Sequence, residues 1–292
     1  MAAPVALIVN PAAGGGRAAS VLPGVLAALA ARGLDVRAAE TGGLDDAREL
    51  AAAAAQAGET VVTLGGDGLL GAVAGVLAGT EAVVGILPGG RGNDFARCLG
   101  IPADPEAACD VVAAGRVKAL DVGDVDGRTF VGIASCGFDS DANRIANEST
   151  VVKGNLVYAY AALRALAEWR PARFEVTVDG TETMAFTGYS VVAANSKAYG
   201  GGMFVAPDAE LDDGRLDLVL TGRVTKRRFL ANLPKVFKGT HIEEPAVHVR
   251  RAAEVRIAAD RPFTVYADGD PIAELPATVR IRPRALRVLV PA

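Results

Sequence analysis

From Val5 to Gly115, short unbroken apolar runs alternate with longer segments whose apolar positions recur at helical spacing. Val5–Val9 (VALIV) reads as a strand buried on both faces. A helix runs to about Arg32, with Gly33 as its C-terminal cap. Leu34–Glu40 is the second strand, and Asp45 caps a helix that Gly58 closes. Val61–Leu64 forms the third strand, followed by a tight loop and an apolar helix from Leu69. Ala82–Leu87 is the fourth, and Asp94–Leu99 and Pro105–Gly115 are helices. This alternation predicts a Rossmann-like parallel α/β domain with helices on both faces of the sheet. The loops after parallel strands share one edge and can line one cleft.

The pattern changes near Leu120–Asp124. Asp126-Gly127, Asp179-Gly180, Asp213-Gly214 and Asp268-Gly269 suit type I′ hairpins. Alternating runs lie near them at Arg173–Val178, Leu216–Leu220, Glu254–Ile257 and Thr278–Arg282. Helical stretches interrupt at Asn155–Trp169 and Thr225–Phe237. A mostly antiparallel β domain is predicted, dividing the chain into domains 1–122 and 123–292.

A net charge of −4 over 292 residues provides no basic field for nucleic acid. Cys98, Cys109 and Cys136 are odd in number and lack CxxC spacing, as in a reduced cytoplasmic protein with buried thiols. No charged segment precedes an apolar one at the N-terminus, so no signal peptide is expected. Asp67, glycines and prolines break the longest apolar windows, so no membrane-spanning helix is expected.

The candidate chemistry lies in two glycine-rich loops, Gly65-Gly66-Asp67-Gly68 and Pro88–Asp94 (PGGRGND). Glycines let the backbone approach a phosphate, and a helix N-terminus favours its charge. Asp67 would repel phosphate unless a cation or hydrogen-bond donors intervene. It marks either a metal-dependent site or a structural tie within the loop. GxxxxGK[ST] is absent, and the fourth-strand loop does not meet GxGxxG, since Gly90 and Gly92 have its first spacing but Phe95 stands where the last glycine is needed.

Five motifs in order carry a resemblance: VNPAAGGGRA from Val9, TLGGDG from Thr63, PGGRGNDFAR from Pro88, LDDGRLDL from Leu211 and DGDP from Asp268. The chain resembles the bacterial diacylglycerol kinase-like lipid kinases, which are similar to the diacylglycerol and sphingosine kinase catalytic domain. The resemblance spans nearly the whole chain. It implies an N-terminal nucleotide domain and a C-terminal β-sandwich, with a cleft between them for ATP, Mg²⁺ and a lipid hydroxyl. On this resemblance Asn10, Pro11, Gly14, Gly15, Thr41, Gly65, Gly66, Asp67, Gly68, Asn93 and Asp94 contact nucleotide. Asp213 coordinates Mg²⁺ with the backbone carbonyls of Glu210 and Arg215. Asp268 and Asp270 match the Asp-Gly-Glu that carries the catalytic base.

The chain departs from the family pattern at three points. Leu69–Ala72 replace the residues that usually follow GGDG, Arg91 stands where a threonine is expected, and Asp270 shortens the Asp-Gly-Glu by one methylene. Arg91 would replace a hydroxyl contact with a charge-assisted bond to phosphate. The reading is therefore a Mg²⁺-dependent lipid kinase. The alternatives are a kinase of a soluble acceptor such as NAD, and a nucleotide- or lipid-binding relative without turnover.

Arg223–Lys238 (RVTKRRFLANLPKVFK) carries six Lys/Arg and no acid, which suits a peripheral contact with an anionic inner membrane surface or an ordinary surface helix. Tyr158, Tyr160 and Trp169 either line a lipid entrance or pack in the core. His241 and His248 have no partner pattern and are read as neither catalytic nor metal-binding. A homodimer is compatible with all of this.

Overall fold

The structure, a computed structural model, describes residues 4–148 and 156–292. Its first part runs β1 (Val5–Val9), α1 (Ala13–Ala31), β2 (Val36–Glu40), α2 (Leu44–Gln56), β3 (Thr60–Gly65), α3 (Asp67–Leu77), β4 (Val83–Pro88), α4 (Asp94–Cys98) and α5 (Pro105–Ala114). Next come β5 (Val117–Val125), β6 (Arg128–Phe130), β7 (Ile133–Gly137), α6 (Phe138–Glu148), α7 (Leu156–Glu168), β8 (Ala172–Val178) and β9 (Glu182–Ala194). After a long loop come β10 (Leu216–Gly222), α8 (Lys226–Val236), a 3₁₀ turn (Thr240–Glu243) and β11 (Val247–Ala252). The chain ends with β12 (Glu254–Ala259), β13 (Thr264–Ala267), β14 (Asp270–Glu274) and β15 (Ala277–Leu289).

Strands β2, β1, β3 and β4 lie side by side in that order, all parallel. β1 is buried throughout, and β3 and β4 beyond their first residue, because helices cover both faces. α1 packs Ala18, Val25 and Leu29 against this sheet, and α2 packs Ala47, Ala51 and Ala54 at helical spacing. α1 is also long and apolar enough to cross a membrane by length and composition alone. Gly14, Gly15 and Gly16 have φ of +64°, +73° and +95°, so regular helix begins only after them. Asp45 is not the cap of α2. The helix starts at Leu44, Asp46 accepts from the Gly42 N–H at 2.8 Å, and the Thr41 hydroxyl accepts from Gly43 N–H at 3.1 Å.

The second part is antiparallel, as its alternating pattern predicts. Asp126-Gly127, Asp179-Gly180 and Asp268-Gly269 close hairpins with both residues at positive φ. Asp213-Gly214 does not close a hairpin. Only Gly214 has positive φ (+72°), and the pair ends the loop that leads from β9 into β10.

β15 ties the two parts together. Val279–Arg282 pair antiparallel with Val122–Val125 of β5, and Arg287 and Val288 pair parallel with Val83 and Val84 of β4. Leu286, Val288 and Leu289 thus complete the first core, which the chain enters last. A second core lies under α6 and α7. There Trp169 stacks on Tyr189 at 5.8 Å and meets Phe138 edge-on at 5.7 Å. Trp169 is therefore a core residue. The Tyr160 hydroxyl accepts from Arg164 at 3.3 Å, and the Tyr158 side chain lies outside the described residues. Cys109 and Cys136 are buried thiols and Cys98 is half-buried.

Candidate active site

The loops that follow β1, β2, β3 and β4 meet at one edge of the sheet. Asn10, Pro11, Thr41, Gly43 and Leu69 line a cavity of about 410 Å³ there, within the range of small-ligand sites. Asn10 shapes the first loop by accepting from the Ala12 N–H at 3.1 Å. The Thr41 N–H donates to Val9 at 2.8 Å, closing the second loop onto the first strand. Gly14 packs on the fourth loop so closely that a Cβ would lie 2.6 Å from the Gly89 carbonyl oxygen.

The two glycine-rich loops are pressed together. Gly89 and Gly90 N–H both donate to the Gly65 carbonyl, at 2.7 and 3.0 Å. Asn93, at φ +50°, braces the turn through two 3.0 Å hydrogen bonds with Gly90. Asp67 begins α3, and its carboxylate accepts from the Asp94 and Phe95 N–H groups, both at 3.2 Å. Asp67 thus ties the third loop to the start of α4. Burial pushes its carboxyl upward, against the pull of those N–H donors. With Asp67 turned toward α4, the first amides of α3 have no side-chain cap and can face an anion.

Asp94 carries the connection into the second part of the chain. It is buried, pairs with Arg97 at 2.9 Å and accepts from the Gly201 N–H at 2.7 Å. Gly201 belongs to Tyr199-Gly200-Gly201-Gly202, whose glycines all have positive φ. Tyr199 hydrogen-bonds Asp139, whose carboxyl burial raises to about 6. Sequence reasoning passed over this loop, although three consecutive glycines were the available signal.

The candidate bases differ sharply. Asp268 is half-buried, and three consecutive backbone amides converge on it. Oδ1 accepts from Gly132 at 2.9 Å and Ile133 at 3.1 Å, and Oδ2 accepts from Val131 at 2.8 Å. Desolvation raises its carboxyl to about 6; the three N–H donors oppose the rise and the negative charge of Asp67 adds to it. It faces α3, where a Cβ on Gly71 would sit 3.7 Å from Oδ2. Asp270 is exposed at the start of β14, and partial desolvation raises its carboxyl against the pull of Arg48 and Arg128.

The Asp213 loop sits apart from these groups. Asp213 accepts from the Arg215 N–H at 2.9 Å and pairs with Arg251, whose Nε lies 3.9 Å from Asp217. Asp121, fully buried, clamps this loop to β15 by accepting from Gly214 N–H at 2.6 Å and Arg284 N–H at 2.7 Å. Among the described residues no three His, Cys, Asp or Glu side chains converge as a ready metal cage. Asp217 Oδ2 is nevertheless buried without a hydrogen-bond partner. Its carboxyl is raised to about 6 by desolvation and by Asp208 and Glu210. The loop and the start of β10 thus offer carboxylate oxygens, one of them without a hydrogen-bond partner, of the kind a hard cation such as Mg²⁺ takes.

Arg91 is exposed on the fourth loop, its guanidinium 3.9 Å from where a Gly15 Cβ would stand, so its charge lies over the first loop. His241 is buried with Nε2 3.0 Å from the Val205 carbonyl, and His248 is exposed.

Residues 4–125 match the diacylglycerol kinase catalytic domain family, and residues 132–290 match the YegS C-terminal NAD kinase beta sandwich-like domain. A protein of Mycobacterium tuberculosis named diacylglycerol kinase is 37% identical, covering 98% of this chain and 95% of its own length. One of Bacillus subtilis with the same name is 29% identical over 80% of this chain and 78% of its own. Among solved structures, a diacylglycerol kinase from Bacillus anthracis superposes with a TM-score of 0.77 at 22% identity, over 99% of this chain and 97% of that one. An NAD kinase from Archaeoglobus fulgidus shares the fold at a TM-score of 0.52 and 15% identity, over 98% of this chain and 93% of that one.

Proposed function

The chain belongs to the diacylglycerol kinase catalytic-domain family and is a phosphotransferase with an alcohol acceptor, and from that premise we propose that it moves the γ-phosphate of ATP onto a lipid hydroxyl, with Asp268 as the general base. The observation that carries this reading is the Asp268 carboxylate, held by three amides and pushed to about 6, facing the helix that springs from the glycine loops.

The nucleotide occupies the cavity beside Asn10 and Thr41, with its phosphates against Gly65–Gly68 and the first amides of α3. Those dipoles favour the phosphate charge without a side-chain cation. Phosphoryl transfer requires mainly positioning and charge stabilisation. The acceptor hydroxyl hydrogen-bonds Asp268. Its oxygen forms the new bond to phosphorus as the bridging P–O bond to ADP breaks, and its proton passes to the Asp268 carboxylate. Asp270, exposed in the field of Arg48 and Arg128, orients groups at the mouth of the cleft. Asp213, with the carbonyls of Glu210 and Arg215, would hold Mg²⁺, whose charge would offset the carboxylates of this loop.

Arg91 supplies a cation to the phosphates. Arg91→Ala is expected to raise the KM for ATP roughly tenfold or more, the worth of a charge-assisted hydrogen bond, with kcat changed less. An unchanged KM would remove Arg91 from the site.

Transfer from labelled ATP to a panel of lipids in mixed micelles, with NAD as a soluble control acceptor, tests the whole reading. A labelled lipid supports it. Saturable labelling of NAD without lipid product favours the soluble-acceptor kinase, and bound ATP with no product on any acceptor favours a relative without turnover.

A further inference from the structure

Helix α8 is built with an inverted outer face. At 3.6 residues per turn, Phe229, Asn232, Leu233 and Val236 share its inner side and are half-buried. Phe229 stacks on Tyr189 at 4.2 Å and meets Phe138 at 4.7 Å. Arg227, Leu230, Ala231, Pro234, Phe237 and Lys238 share the outer side, and all are exposed. Leu230 and Phe237, two turns apart, are 43% and 54% exposed. Leu163 of the neighbouring α7 is 54% exposed. The two helices touch where Lys226 Nζ donates to the Ala167 carbonyl at 2.7 Å. A surface helix ordinarily turns such residues inward; here the helix has apolar residues on both sides.

Its charges are sorted in the same way. Arg228, at 3.0 Å, and Lys235 both pair with Glu244. Arg223, Arg227 and Lys238 have no carboxylate partner among the described residues. Exposed leucine and phenylalanine flanked by unpaired cations are complementary to an anionic amphiphile interface, which offers acyl surface below a layer of phosphates.

We propose that this face of α8, together with Leu163, docks the protein on an anionic lipid surface, with Leu230 and Phe237 entering the headgroup–acyl boundary and Arg223, Arg227 and Lys238 meeting lipid phosphates. The choice of occupant rests on the lipid-kinase reading above. The helix is also tied to the cleft. The Phe204 N–H donates to the Val236 carbonyl at 3.0 Å, and Phe204 lies two residues after the glycine loop whose Gly201 reaches Asp94. A docked α8 therefore holds that loop, and the cleft behind it, close to the surface.

The test is co-sedimentation of the full chain with vesicles of pure phosphatidylglycerol or pure phosphatidylcholine. Wild type is expected to bind phosphatidylglycerol and not phosphatidylcholine. Leu230→Ser/Phe237→Ser and Arg227→Glu/Lys238→Glu are each expected to weaken that binding about tenfold or more, with unfolding temperature and transfer to a short-chain soluble acceptor unchanged. Should the first variant fold poorly, the second changes only exposed charges and decides the matter. Equal binding to both vesicles, wild-type affinity in the variants, or a solution dimer that the first variant dissolves would overturn the proposal. Vesicle binding needs no phosphoryl transfer, so this result is independent of whether the kinase assay succeeds.

Discussion

Asp268→Asn is expected to lower kcat at least about 100-fold, the usual worth of a positioned base, and to abolish the acid limb of the pH profile. The Asp268 carboxyl rises from an ordinary 3.8 to about 6 because desolvation outweighs its three amide donors. As a base it acts when ionised, so wild-type kcat/KM should climb through about pH 6 and then level. Stability should move the other way. A carboxyl whose folded-state value is raised contributes its full stabilisation below its unfolded value near 3.8 and loses it as pH rises through about 6. Asp139 and Asp217 are raised to about 6 as well, so the stability share of Asp268 must be taken as the difference between wild type and variant. Asparagine can keep the two bonds to Gly132 and Ile133 with its carbonyl, but its amide then confronts the Val131 N–H. One orphaned buried donor costs about 1–3 kcal/mol. Measured at pH 7 by thermal unfolding and steady-state kinetics, the variant should be somewhat less stable and nearly inactive. Asp270→Asn, at an exposed position, should keep the acid limb. If Asp270→Asn removes the limb and Asp268→Asn preserves it, the base is Asp270.

The parallel strands were legible because burial on both faces requires largely apolar runs, and β1, together with β3 and β4 beyond their first residue, is buried in that way. Three of four Asp-Gly pairs were legible as hairpins because type I′ geometry favours those residues. Asp213-Gly214 has the same dipeptide and a different setting, since no strand precedes it closely enough to pair. The glycine loops and the family were legible from motif order. What the carboxylates touch was not. Asp67 is directed by the amides of Asp94 and Phe95 at the start of α4, and Asp213 by Arg251 on a strand that pairs with β10. Such partners are set by how elements pack in space, and local spacing does not encode them. Asp268 and Asp270 look interchangeable in DGDP. Only the approach of Val131–Ile133, far away in sequence, separates them. The Tyr199–Gly202 loop was missed because its role rests on a contact between the two parts of the chain, from Gly201 to Asp94, which local sequence does not encode.

Gly90→Ala is expected to raise the KM for ATP at least about tenfold and to lower stability by about 1–3 kcal/mol, even though Gly90 needs no special backbone conformation. The effect is steric. A Cβ on Gly90 would lie 2.5 Å from the Gly66 Cα, 2.9 Å from Asn93 Oδ1 and 3.1 Å from the Gly66 nitrogen. Two of those three atoms are backbone, so no side chain can swing away and the loops must separate. Separation weakens the Gly89 and Gly90 hydrogen bonds to Gly65, and Gly66 is the residue from which α3 starts. The amides offered to phosphate then lose their aim. The shift also loads Asp67, which spans to Asp94, and through Asp94 the Gly201 contact that joins the two parts of the chain. Loss of ATP affinity should therefore appear together with lower protection of the Gly201 amide from hydrogen exchange. Gly75→Ala is the internal contrast. It lies exposed within α3, and its Cβ would meet nothing within 4 Å. There alanine should raise stability by roughly 0.5–1 kcal/mol through helix propensity. A Gly90→Ala enzyme with wild-type KM, wild-type stability and a protected Gly201 amide would mean that the two glycine loops are not packed as a unit, and the phosphate site would have to be sought away from them.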